Sequence, residues 1–223
     1  MTTFMIQIFV AVVLLLFLHV SALALAGMAF GIELREVSFG VGKALFSRGK
    51  VTVRLLPISG YAKYASTFET PEVDPAVTFN HKPALVRAVV PLTGCVALML
   101  VAAMIPVGAG ISEVTEGFRQ VIVGAFGPTS TAQGYIQALH DRSLSQGFMV
   151  VLGVLAAKMA ALNLLPLPFL NGGQALLAFV PTDPDVEPGW QQKLLQFTFF
   201  PFIALMGSWL YAICFFAIGS PPA

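Results

Sequence analysis

The sequence predicts an all-α polytopic membrane protein, with about four transmembrane helices and a small cytoplasmic β-hairpin. Three observations lead there. Apolar residues make up 57% and charged residues 10% of the 223, where a soluble domain carries about 25% charged residues. The charges also avoid long stretches: none falls in residues 1–32, 88–112 or 194–223, and Lys158 is the single charge in 143–182. Each stretch exceeds the roughly 20 apolar residues that cross a bilayer at about 1.5 Å per residue. Finally, eight of the twelve basic residues, Arg35, Lys43, Arg48, Lys50, Arg54, Lys63, Lys82 and Arg87, crowd into one connection. With 12 basic against 11 acidic residues, no net field draws nucleic acid to the chain.

The first span is expected over about 4–30. Ala24-Leu25-Ala26 before Gly27 resembles a signal cleavage site, but no side-chain cation precedes the apolar run, which is longer than a usual signal core. Next comes a hairpin over 36–56. Val37, Phe39 and Val41 alternate, Ser47-Arg48-Gly49-Lys50 reads as a turn, and Val51, Val53 and Leu55 alternate again. Beside a membrane such a hairpin lies against the interface, pairs with an extended partner strand, or simply closes the mouth of its own bundle. Residues 67–83 hold Pro71, Pro75 and Pro83 and read as a linker. The second span is expected over 85–107. A connection over 108–146 follows, with one short amphipathic helix over 111–123 that puts Val114, Phe118 and Val121 on one face. Gly127-Pro128 reads as a turn. The third span, 148–180, is broken at Pro166 and Pro168, and the fourth covers 194–218. Cys95 and Cys214 lie within spans and read as small core residues.

Four segments carry a resemblance. His19-Val20-Ser21-Ala22-Leu23 through Gly27 is similar to the His-Glu-x-x-His motif of site-2 proteases, the intramembrane zinc metalloproteases. Leu56-Pro57-Ile58-Ser59-Gly60-Tyr61-Ala62-Lys63 resembles the Pro-x-Gly-Gly-Tyr-Val-Lys segment after the hairpin of that family. Val90-Pro91-Leu92-Thr93-Gly94 resembles its Gly-Pro-x-x-Asn motif. Asn163-Leu164-Leu165-Pro166-Leu167-Pro168-Phe169-Leu170-Asn171-Gly172-Gly173 resembles its Asn-x-x-Pro-x-Pro-x-Leu-Asp-Gly-Gly motif, the most specific of the four. The resemblance implies a single site-2-protease-like membrane domain over 1–223. No PDZ domain is expected, because the outer connection of about forty residues is too short for one.

The departures fall on the chemistry. A His-Glu-x-x-His helix sets two imidazoles one turn apart to hold zinc while the Glu activates the bound water. Here His19 remains, but Val20 stands for the Glu, Leu23 for the second His, and Asn171 for the Asp that the family uses as third ligand. Gly94 replaces the Asn of the second-helix motif, and Val90 its Gly. Catalytic zinc needs three protein ligands and a water, and loss of a general base alone costs ~10²–10⁴ in rate. No catalytic residue set is therefore expected to be intact, and no cofactor is expected. His19 reads as a buried histidine, partnered by Asn171 if the fold joins the two motifs as in the family. Lys158 is an intramembrane charge with no acid in any span to pair it, and the favoured expectation is that it snorkels to an interface or a wet cavity.

The expected function is that of a catalytically inactive homologue, a membrane-embedded binding or structural subunit that holds a transmembrane helix of a partner. The groove would be formed by Pro91, Gly94, Asn163, Pro166, Pro168, Asn171, Gly172 and Gly173. The competing reading is an active zinc metalloprotease with non-standard ligands, the one case in which zinc is expected. Transport has only Lys158 and the broken helix as hints, without the repeats that class shows. The expected partners are the lipid bilayer and another transmembrane protein or a larger membrane complex, with no nucleic acid. The expected location is the bacterial inner membrane. The basic connection marks the cytoplasmic side, so the hairpin lies inside and both termini outside.

Overall fold

The computed structural model describes residues 1–105, 110–186 and 188–219. Residues 106–109 hold the end of the second expected span and the start of the outer connection, and these lie outside the described residues, as does Glu187. Among the described residues there are seven α-helices: α1 (Thr2–Ala29), α2 (Ala84–Met104), α3 (Gly110–Phe126), α4 (Thr131–Gln146), α5 (Phe148–Asn163), α6 (Asn171–Leu177) and α7 (Gly189–Gly219). Two strands, β1 (Leu34–Arg48) and β2 (Val51–Tyr64), pair antiparallel.

Three of these helices, α1, α2 and α7, are long and apolar enough to cross a membrane. The chain is an integral membrane protein with a mostly helical fold. The expected third span has a different form. Its first half, α5, has 16 residues, a rise of about 24 Å, short of the roughly 30 Å hydrocarbon core. The chain then leaves helical geometry between Asn163 and Asn171, where Pro166 and Pro168 lack the amide protons a helix needs. The four-span count therefore stands as three spanning helices and a shorter apolar one.

The chain divides into two compact units. One comprises Met1–Val12, Leu98–Asn163 and Gln196–Ala223. Its core joins Phe4 and Ala11 of α1, Ala132 and Ile136 of α4, Val150 and Val151 of α5, and Ala212 and Phe216 of α7. Small residues set how closely its helices approach. Ala156, Ala157, Ala160 and Ala161 on α5 are all but fully buried, and a Cβ at Gly117 of α3 would lie 2.9 Å from the Ala161 Cβ. Trp209 of α7 donates its indole N–H to the Val121 carbonyl at 2.8 Å, over the flat spot left by Gly124. The expected 111–123 helix is thus only part of the connection, which holds both α3 and α4.

The other unit comprises Val13–Ala97 and Leu164–Leu195. Here the hairpin is longer than alternation predicted. Residues 57–63, expected to follow the hairpin, belong to β2. Val37, Ser38 and Phe39 each face two positions of β2: Ala62, Tyr61 and Gly60 near its end, and Val51, Thr52 and Val53 near its start. The hairpin therefore folds over upon itself. The bend runs through Gly40 and Gly42 at φ 96 and 86, values that side chains with a Cβ rarely adopt. Arg54 holds the fold-over, donating Nε to the buried Ser38 hydroxyl at 2.9 Å, Nη1 to the Gly42 carbonyl and Nη2 to Glu36. The root of the hairpin packs along α1: Leu16, Val20 and Ala24 meet Leu34, Val37 and Phe39, and Phe17 stacks on Phe39 at 4.2 Å.

Residues 67–83 are built rather than loose. A short 3-10 helix, Pro75–Val77, is capped by the Asp74 carboxylate. Asn80 donates to Thr67 Oγ1 and to the Pro184 carbonyl, both at 2.6 Å, and His81 pairs with Asp185 at 3.1 Å. The expected linker is therefore stitched to the 181–186 connection.

Candidate functional site

His19 and Asn171, 152 positions apart in sequence, meet in the second unit. His19 lies at mid-length of α1 and is 5% exposed; Asn171 opens α6 and is 8% exposed. The Asn171 amide nitrogen lies 3.2 Å from His19 Nε2 and 2.6 Å from the carbonyl oxygen of Pro91 in α2. An amide N–H donates to Nε2 only when that nitrogen is unprotonated, which puts the ring proton on Nδ1. Both amide protons of Asn171 are thereby used. Cys95 is also buried. His19 Nδ1 is buried against Gly94 without a partner in hydrogen-bond geometry.

The neighbouring motif positions are apolar. Val20 is fully buried under the hairpin, its Cγ2 2.8 Å from where a Cβ at Gly60 would stand. Leu23 lies one turn beyond His19 and lines a pocket of ≈310 Å³ together with Tyr64, Phe79, Val90, Pro91, Asn171 and Gln174. Tyr64 closes one side of it, donating its hydroxyl to the Leu23 carbonyl. Burial pushes that hydroxyl up to about 12, so it remains a donor at any physiological pH.

Of the residues expected in a groove, Pro91 and Asn171 line this pocket. Gly172 and Gly173 pack instead against the preceding loop: a Cβ at 172 would lie 2.2 Å from the Leu164 carbonyl oxygen, and one at 173 2.0 Å from that of Leu167. Pro168 is buried and Pro166 exposed. Leu167 N bonds Leu165 O, and Leu170 N bonds Leu167 O, both at 2.8 Å. In the first unit, Asn163 donates to the Met159 carbonyl within its own helix. Gly94 lies flat against the His19 ring, and a Cβ there would stand 2.6 Å from both Cε1 and Nδ1.

Lys158, expected to have no acid to pair it, has an acidic partner. In the first unit its Nζ lies 2.9 Å from Glu113 Oε2 and 3.1 Å from the Glu113 carbonyl, while Arg142 reaches Glu113 Oε1 at 3.0 Å. The acid comes from α3, a connection helix, so scanning the spans for a partner could not find it. Burial pushes the Glu113 carboxyl up, but the hydrogen bonds and charges of Lys158 and Arg142 together outweigh it and hold it below its ordinary value. Cys214 also departs from expectation: it is exposed on α7, whereas Cys95 is buried. Tyr64, Gln174, Cys95 and Glu113 carried no signal in the sequence beyond their residue type.

These donors do not fit a catalytic zinc ion, the metal that the resemblance implies. One imidazole and one amide, already bonded to each other, stand where three ligands and a water are required. Among the described residues no three His, Cys, Asp or Glu side chains group closely enough to hold a metal. The family model of Peptidase family M50, the site-2 protease family, matches residues 7–206, most of the chain. No curated protein matches it.

Proposed function

Because the chain belongs to Peptidase family M50, we propose that it is a catalytically inactive homologue acting as a membrane-embedded binding or structural subunit. In this reading it holds a transmembrane helix of a partner protein or of a larger membrane complex. The observation that carries the first part is the direction of the Asn171 hydrogen bonds. A metal ligand at 171 must present lone pairs, whereas the Asn171 amide presents protons, one to His19 and one to Pro91. The position has been turned from holding a cation to pinning α6 to α1 and α2. Metal content and cleavage of a spanning helix by the purified protein test this. Neither zinc nor chelator-sensitive cleavage is expected; both together would establish an active protease with non-standard ligands.

The second part rests on the pocket beside Asn171, whose walls of Leu23, Phe79, Val90 and Pro91 suit an apolar segment. A photocrosslinker in place of Gln174, exposed at its rim, should capture one discrete membrane protein. Lipid adducts alone would leave the pocket without a protein occupant and sink the binding role.

In this reading the protein lies in the bacterial inner membrane, and the basic connection argues that the hairpin is cytoplasmic and both termini outside. A cysteine introduced at Gly49, in the exposed turn, should resist an impermeant reagent in intact cells and react once the membrane is opened. Labelling in intact cells would reverse the orientation.

A further inference from the structure

From Val37 to Phe68 the chain contains no Asp or Glu, yet it carries Lys43, Arg48, Lys50, Arg54 and Lys63. Arg54 is bound to Glu36 and Lys63 to Glu69, acids that flank this stretch. Arg48 and Lys50 are exposed on either side of the Gly49 turn, and among the described residues no acid pairs with them. They are not surrounded by polar surface. Arg48 stands opposite Val51, and the next pair on the same face is Phe46 and Val53, with Leu55 beyond. Phe46 is 56% and Leu55 55% exposed. Next to the turn and its two cations, this face thus carries a strip of exposed apolar side chains, Phe46, Val51 and Leu55, while the partly buried Val53 packs against the hairpin root.

The fold also fixes what this strip lies beside. The hairpin root packs on α1, a helix long and apolar enough to span a membrane, back as far as Leu16, thirteen residues or about 20 Å before its end at Ala29. The fold-over brings the turn back to the root, where the Val37 amide donates to the Lys50 carbonyl at 2.7 Å. The strip is therefore held at the flank of a helix long and apolar enough to cross a membrane. Apolar side chains there gain from contact with acyl chains, and unpaired cations gain from phosphate, by about 1 kcal/mol each near an anionic surface.

We infer that the folded-over hairpin is a binding surface for anionic phospholipid, with Arg48 and Lys50 on the headgroup phosphate and Phe46, Val51 and Leu55 against the acyl chain. The two cations select lipids with net negative charge over zwitterionic ones, and the strip keeps the headgroup beside the protein.

The test uses the purified full chain in phosphatidylcholine nanodiscs, with Cys214→Ser and a fluorophore on Ser47→Cys beside the turn. Brominated phosphatidylglycerol or brominated phosphatidylcholine is added as a minor component. Quenching by the anionic lipid should exceed that by the zwitterionic one about fivefold, as one interfacial cation predicts at minimum. High salt and Arg48→Gln with Lys50→Gln should each remove the difference without changing thermal stability. Equal quenching by both lipids shows apolar contact only and overturns the proposal. So does absence of quenching, which places the turn in water, and so does a difference that survives the double substitution.

Discussion

The imidazole of His19 occupies the space that a side chain at Gly94 would need: a Cβ there would stand 2.6 Å from the ring and 3.0 Å from the His19 carbonyl oxygen. This explains a departure that the sequence presents only as a loss. The related motif has Asn at this position, and the glycine admits the ring to α2, so that Nε2 can accept from Asn171. Gly94 and Asn171 thus act on the same imidazole.

Gly94→Ala should therefore destabilise the protein by about 1–3 kcal/mol, the range for an overpacked core. His19→Ala in the same chain should restore much of the loss by vacating the space. Thermal denaturation in detergent of the two single variants and the double provides the cycle, and strictly additive losses would disprove the shared contact.

Asn171→Asp should also destabilise, although it restores the family residue. A carboxylate has no proton for the Pro91 carbonyl, so that acceptor would face its lone pairs in a buried site, even though His19 can move its ring proton to Nε2 and donate. Combining it with Leu23→His should reverse the effect in the presence of zinc, because residue 23 lines the same pocket one turn from His19. Zinc should then raise the melting temperature of the double variant alone. Adding Val20→Glu should lower stability again, since that position is sealed beneath the hairpin at 0% exposure. A triple variant as stable as the double would refute that packing argument.

Glu113→Gln should leave Lys158 and Arg142 without their shared carboxylate and cost about 1–3 kcal/mol. The sign of the pH dependence follows from the lowered value of Glu113. Its contribution is present above the ordinary carboxyl value of 4.5 and fades as pH falls through the lower folded value. Melting temperatures of the unsubstituted protein should thus drop below about pH 4.5, and that part of the slope should be missing in Glu113→Gln.

Gly27→Ala should be worse tolerated than Tyr64→Phe. The second change removes one hydrogen bond to the Leu23 carbonyl, worth about 1 kcal/mol. The first drives a methyl group to 2.1 Å from the Tyr64 ring, so the ring must leave its place against α1. Yields of folded protein from membranes rank the pair, and equal yields would contradict the close approach of Tyr64 to α1.

By itself the sequence determined where the chain is apolar enough to enter a bilayer, where the hairpin turns, and which positions of the family motif carry other residues. Each is a property of residue type along a continuous run, so charge-free lengths and period-two alternation suffice to read it. The tertiary structure decided which residues meet. Pro57 and Gly60 belong to the segment expected to follow the hairpin, yet both lie in β2. Gly60 permits this because a Cβ at that position would stand 2.6 Å from the Ser38 carbonyl oxygen. Lys158 read as unpaired, because its acid is 45 residues away on a helix whose packing against α5 depends on Gly117 and Ala161. Asn171 is the sharpest case. Its identity marks a departure from the family motif, but a neutral amide both donates and accepts, and only the positions of His19 and Pro91 fixed that it donates to both.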